Sequence, residues 1–161
     1  MRFILGTCCL LLASLAQAQR PAAGEALPTV AIDDGGSIEI EGDDLVFQPW
    51  SSDSLKGRPV YLQHMAARAG IDEINKSMDN AVEALGYSAE QLVSVAIANK
   101  DDATWGTGLF VAGQLKKNKL RYPDTVIVAD NEGAALKQWQ LQPENAAVIL
   151  LSPEGQVLFF K

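Results

Sequence analysis

The sequence predicts an α/β protein in which one mixed sheet is covered by helices on both faces. Three observations carry that expectation. The runs 60–65, 91–99 and 125–128 are largely apolar, as strands buried on both faces are, and the last two are rich in β-branched residues. The segments between them carry apolar residues at helical spacing. A final pair of apolar runs, 146–151 and 156–160, flanks Ser152-Pro153-Glu154-Gly155 and reads as a hairpin.

Residues 1–18 read as a secretory signal peptide. Arg2 precedes a run from Phe3 to Ala16 free of charge, and Ala16-Gln17-Ala18 supplies the small-x-small cleavage signal. That run is too short to span a bilayer, which takes about 20 apolar residues. Cys8 and Cys9 are the chain's two cysteines, so an exported product has no thiol and holds together by its core alone. The whole chain has 20 acidic residues against 13 basic ones, a net charge of −7, and loss of Arg2 takes it to −8. Such a balance argues against nucleic acid or an anionic membrane surface as partner.

Residues 19–26, rich in Pro, Ala and Gly, are expected to form a flexible tether, with one domain over 27–161. Residues 29–32 and 37–40 alternate as two short strands around the turn-forming cluster 33–36, and 45–47 adds another. The carboxylates of Asp33, Asp34, Asp43 and Asp44 fit no EF-hand spacing and read as turn chemistry. Residues 50–57 form a polar connection with a serine cap ahead of Leu55. The strand 58–65 then enters a turn at 66–70. Ile71, Ile74, Met78, Ala81, Val82 and Leu85 follow at helical spacing with acidic residues in the first turn, which predicts an amphipathic helix ending near Gly86. A loop at 104–108 opens a second helix. Its Gly106-x-Gly108 is the weakest form of a phosphate-cradling signal and reads as a helix entry. Lys116, Lys117, Lys119 and Arg121 suit the end of that helix, where cations meet the negative end of the dipole. A short helix over 132–140 precedes the hairpin. The crossovers are long enough to be right-handed.

The strand, turn and helix from residue 58 onward resemble the opening of a thioredoxin-like domain, in which a Cys-x-x-Cys pair starts the first helix. Here the two positions hold Ala69 and Asp72, so the thiolate chemistry of dithiol exchange has no atom to reside on. The segments WSSDSLKGRPVYLQHMAAR, DDATWGTGLFV with NKLRYP, and DNEGAALKQWQL with AAVILL are together similar to the YtfJ family of small secreted bacterial proteins. That resemblance implies a thioredoxin-like three-layer fold with a mixed central sheet and an extra N-terminal β-hairpin, located in the periplasm. It departs from working thioredoxins at a second point: the cis-proline before the hairpin strand is replaced by Ala146 or Ala147. Such domains also close with a helix after the hairpin. Its apparent absence here leaves 157–160 as an uncovered strand and suggests a homodimer through that face.

The candidate contact surface is Gln63, His64, Arg68, Ala69 and Asp72, around the turn that thioredoxins use. The expected function is a redox-inactive binding module for a periplasmic protein or small ligand, without a cofactor. The alternative is a non-redox enzyme that reuses the site through His64, Arg68 and Asp72. His64, the sole histidine, reads as a core residue on a doubly buried strand, and its exposure decides between the two. One histidine without cysteine gives no transition-metal site. Trp50, Trp105 and Trp139 read as core or edge packing.

Overall fold

A computed structural model describes residues 17–103 and 108–161. The predicted loop at 104–108, with Trp105 and Gly106, lies mostly outside the described residues.

Seven strands form one sheet, in the spatial order Asp44–Ser51 (β2), Ala31–Glu41 (β1), Val126–Asp130 (β5), Val93–Asn99 (β4), Val60–Ala66 (β3), Ala146–Leu151 (β6) and Val157–Phe160 (β7). The centre consists of three parallel strands, β3 (Val60–Ala66), β4 (Val93–Asn99) and β5 (Val126–Asp130). Their β-branched residues prefer this doubly covered position. The hairpin of β6 (Ala146–Leu151) and β7 (Val157–Phe160) joins antiparallel to β3, and its turn is closed by the Gly155 amide donating to the Ser152 carbonyl at 2.9 Å.

The other edge differs from the sequence expectation. Residues 31–41 form one continuous strand, β1 (Ala31–Glu41), rather than two strands around a turn at 33–36. The hairpin turn lies at Gly42, where β1 meets β2 (Asp44–Ser51). The Gly35-Gly36 pair is a point of close approach: Gly35 and Gly36 stand opposite Asp130 and Ala129 of β5, with φ of 104° and 90°. A Cβ on Gly36 would lie 2.0 Å from the Gln48 carbonyl oxygen, and one on Gly35 would lie 2.2 Å from that of Ala129. Glycine there lets β1 carry neighbours on both sides. The expected serine cap is present, with Ser51 Oγ accepting from the Asp53 amide at 3.2 Å ahead of a 3-10 turn, Ser52–Leu55.

One face of the sheet buries Leu62, Val95, Ile97, Val128 and Ile149 against Trp50, Leu55 and α3 (Ala134–Gln138) with Trp139. Trp139 is fully buried, and its indole N–H donates to the Pro28 carbonyl at 2.7 Å. Burying such a side chain stabilises the fold by about 3 kcal/mol, and the indole leaves no unmet donor. On the opposite face Ile38, Ile127 and Ala129 pack against Val111 and Leu115 of α2 (Gly108–Arg121).

The first helix is shorter than its periodicity predicts. Residues 71–73 form a 3-10 turn, and α1 proper is Lys76–Ala84, with no buried residue. Gly70, at φ 78°, and Asn75, with non-helical angles, delay the start. The apolar residues meant for its inner stripe stay open, with Ile74 exposed and Leu85 63% exposed. The cause lies beneath: Ser94, Ala96 and Ala98 of β4 are small and offer little surface to hold a helix.

The N-terminal segment is no free tether. The Gly24 amide donates to the Val157 carbonyl and the Val157 amide to Glu25, both at 2.8 Å, while the Leu27 amide donates to Gly155 at 3.0 Å. This strap pairs with the start of β7 at Val157 and with the turn before it, because an unpaired strand edge recruits complementary backbone within reach. Leu158 is 61% exposed on the sheet surface, and Phe159 is also exposed. No helix among the described residues is long and apolar enough to cross a membrane.

Candidate functional site

The carboxyl ends of the three parallel strands, Ala66, Asn99 and Asp130, lie side by side, and the chain leaves each of them through a loop. Open α/β sheets place ligands at this edge. The Ala67 amide donates to the Asn99 carbonyl at 2.9 Å, which fixes where the 67–70 turn begins. Arg68 then gathers three loops. Its Nε donates to the Asp102 carbonyl at 2.8 Å, and its two terminal nitrogens meet the Glu144 carboxylate at 2.7 and 3.0 Å. Asp102 completes the bracket by accepting from Asn99 Nδ2 and from the Glu144 amide, each at 2.9 Å. The ion pair is largely exposed and adds less than about 1 kcal/mol, so its effect is mainly to hold geometry.

Asp130 is buried, and its two carboxylate oxygens accept from the Ala134 and Ala135 amides at 2.9 Å. A carboxylate on two free amides at a helix start satisfies donors that the helix itself leaves unpaired. His64 lies on the same face, 1% exposed, with Nε2 lacking a hydrogen-bond partner among the described residues. Burial pushes its pKa down to about 4, outweighing the attraction of the Asp130 and Asp102 carboxylates. The imidazole is therefore neutral at neutral pH.

Gln63 points the other way. Its Nε2 donates to Asp79 Oδ1 of α1 at 2.8 Å, and the Tyr61 hydroxyl donates to the same oxygen. Burial, then the adjoining Asp79 carboxylate, raises the Tyr61 pKa above its ordinary value. These two bonds tie α1 to the sheet at its middle. Around them opens a cleft of about 830 Å³ between α1 and α2, floored by Ser94, Ala96 and Ala98. Asp72 of the 3-10 turn and Lys76, Asp79 and Glu83 of α1 line one wall, Lys117 and Arg121 of α2 the other, and Tyr87 and Tyr122 also border it. Its size suits a small organic ligand, and opposite charges face each other across it.

The structure thus separates the predicted group. Arg68 is the bracket of the strand-end loops, Ala69 is exposed in the turn, and Asp72 and Gln63 border the cleft. His64 belongs to the core and is withdrawn from the contact surface, because neighbouring strand residues point to opposite faces. The sequence reading missed Tyr61, Asp79, Asp102 and Glu144. Asn99 and Asp130 carry a legible signal, each a polar residue ending an apolar run, whereas nothing local marks Glu144. Among the described residues no group of three metal-ligating side chains comes together.

Solved structures with this arrangement include the thioredoxin domain of a thiol-disulfide oxidoreductase from Bacteroides vulgatus, at TM-score 0.57 and 14% identity over 87% of this chain and 88% of that one. A thiol peroxidase from Chromobacterium violaceum has TM-score 0.55 and 12% identity, over 91% of this chain and 78% of that one. Both likenesses show the fold alone, which is thioredoxin-like. In sequence, the chain is 34% identical over 161 residues to the protein YtfJ of Escherichia coli (strain K12), covering 100% of this chain and 88% of that protein. It is 36% identical over 137 residues to a protein of Haemophilus influenzae (strain ATCC 51907 / DSM 11121 / KW20 / Rd), covering 85% of this chain and 74% of that protein. The family model described as bacterial protein of unknown function (YtfJ_HI0045) matches residues 22–161, and the chain belongs to that family.

Proposed function

We propose that the protein is an exported, redox-inactive binding module of the bacterial periplasm, released by cleavage after Ala18. Its contact surface is the turn 66–72 together with the cleft beside it. One observation carries this reading: where a thioredoxin holds its two thiols the chain has Ala69 and Asp72, and Asp72 opens onto a cleft of about 830 Å³ rather than a dithiol. A scaffold without its nucleophile keeps the capacity to bind. The acidic chain disfavours nucleic acid or an anionic membrane surface as the occupant. A protein loop or a small ligand with separated charges fits the facing walls.

The enzyme alternative loses its acid/base group. His64 is sealed from solvent, Arg68 is occupied by Glu144 and Asp102, and Asp72 lines the cleft on the other side of the sheet, so the three do not converge.

Photo-crosslinking in the periplasm tests the proposal, with a photoreactive residue at position 69 or 72 and a control at position 43 in the β1–β2 turn. A recurrent adduct from 69 or 72 that is missing from 43 is the expected result. Equal labelling from all three positions, or none, would overturn the proposed surface for protein partners. Saturable binding to the cleft in a small-molecule screen, lost on Asp79→Ala, would then identify the small-ligand form.

A further inference from the structure

Cleavage after Ala18 places a glutamine at the new amino terminus, and the fold holds that residue in a defined place. The Gln19 backbone nitrogen donates to the Gln138 carbonyl at 2.8 Å, at the end of α3. The Arg20 guanidinium carbon lies 5.2 Å from the centre of the Phe160 ring. Pro21 is buried, and the strap then pairs with β7 through Gly24, Glu25 and Leu27. The terminus is held by contacts on both sides, with Gln19 and Arg20 themselves exposed.

We infer that residue 19 is a modification site, at which the mature chain begins with a five-membered pyroglutamate lactam. This inference rests on the export reading above. The unprotonated α-amine of Gln19 attacks Cδ of its own side chain. The N–Cδ bond forms, the Cδ–Nε2 bond breaks, and Nε2 takes a proton from the amine and leaves as ammonia. No other reactant is needed. An α-amine titrates near pH 8, so a sizeable share is neutral at the pH of the periplasm.

The seat fits the product. In the chain before cleavage, Gln19 offers Gln138 a peptide nitrogen with one proton. A lactam is again an amide with one N–H, so residue 19 still carries one backbone donor after cyclisation. Cyclisation also removes a positive charge that would otherwise stand close to the Arg20 guanidinium. The result is an end without a free amine for aminopeptidases, docked against α3 and β7.

Intact-mass and N-terminal peptide mass spectrometry of the full chain, expressed with its signal and recovered from the periplasm, test the inference. The expected mass is that of residues 19–161 less one ammonia, with resistance to Edman degradation until pyroglutamyl aminopeptidase removes one residue from the denatured protein. A Gln19→Ala chain is expected to be cleaved at the same bond and to show no ammonia loss. A product that starts at Gln19 with a free amine would overturn the modification and leave the export reading intact. A product that starts at another residue would overturn the modification and the cleavage site, and a chain that is not recovered from the periplasm would overturn the export reading as well.

Discussion

His64 carries the one imidazole of the chain into a region that solvent does not reach, and its protonation is coupled to folding. In the unfolded chain it titrates near 6.5, and in the fold near 4. Above pH 6.5 both states are neutral and the group adds no pH dependence. As pH falls below 6.5 the unfolded chain takes up a proton that the folded one refuses, so stability is lost progressively down to pH 4. The shift corresponds to about 3 kcal/mol. Urea unfolding of the native protein and of His64→Gln at pH 7.5 and pH 4.5 should show a substantial pH-dependent loss in the first and a much flatter response in the second. Equal slopes would mean that the imidazole reaches solvent, which would reopen the enzyme reading. The same residue shows what the sequence made legible. The alternation of 60–65 was enough to place His64 in a doubly buried strand. It did not reveal that Gln63, one residue earlier, faces the cleft and bonds Asp79, because that partner comes from another element.

The elements whose burial is written in their own residues match the sequence reading closely: β4, β5 and the final hairpin all lie within two residues of the expected bounds. Those whose limits depend on a neighbour do not. The continuity of β1 depends on β5, more than 90 residues away, accepting Gly35 at close range while Gly36 is pressed against β2, so the same glycines that suggested a local turn serve contacts on both sides of the strand. Gly36→Ala would force a Cβ into the Gln48 carbonyl at a φ of 90°. The expected cost is at least about 2 kcal/mol, read by urea unfolding. Gly42→Ala, with nothing within 4 Å of its added Cβ, should cost markedly less. A comparable loss at both positions would show that the positive φ, and not the close approach, decides. For the candidate site, the turn 66–70 was legible from its position after a buried strand. The cleft was not, since it arises from small side chains on β4 failing to hold α1.

At the scale of the molecule, the strap at 19–27 covers the start of the β7 edge at Val157. A chain in which residues 19–26 are deleted behind residue 18 loses both bonds to Val157 and the Ala26–Gln156 bridge and presents an open strand edge beside exposed Leu158 and Phe159. That variant should self-associate in sedimentation velocity at concentrations where the intact chain does not, and the Val157 amide should exchange with solvent far faster. Unchanged exchange would show that the edge is protected by something other than the strap.

The order of the strands also bears on the timing of folding. Ser37 pairs with Val128, and Val60 with both Val93 and Leu151, so the sheet cannot close while the chain is still emerging from the ribosome. Contacts this distant in sequence carry a large loop-closure cost and slow the approach to the native state. Under the export proposed above, that delay is useful. A precursor that folds late would stay threadable, and the topology itself would hold open the interval in which the translocation machinery engages it.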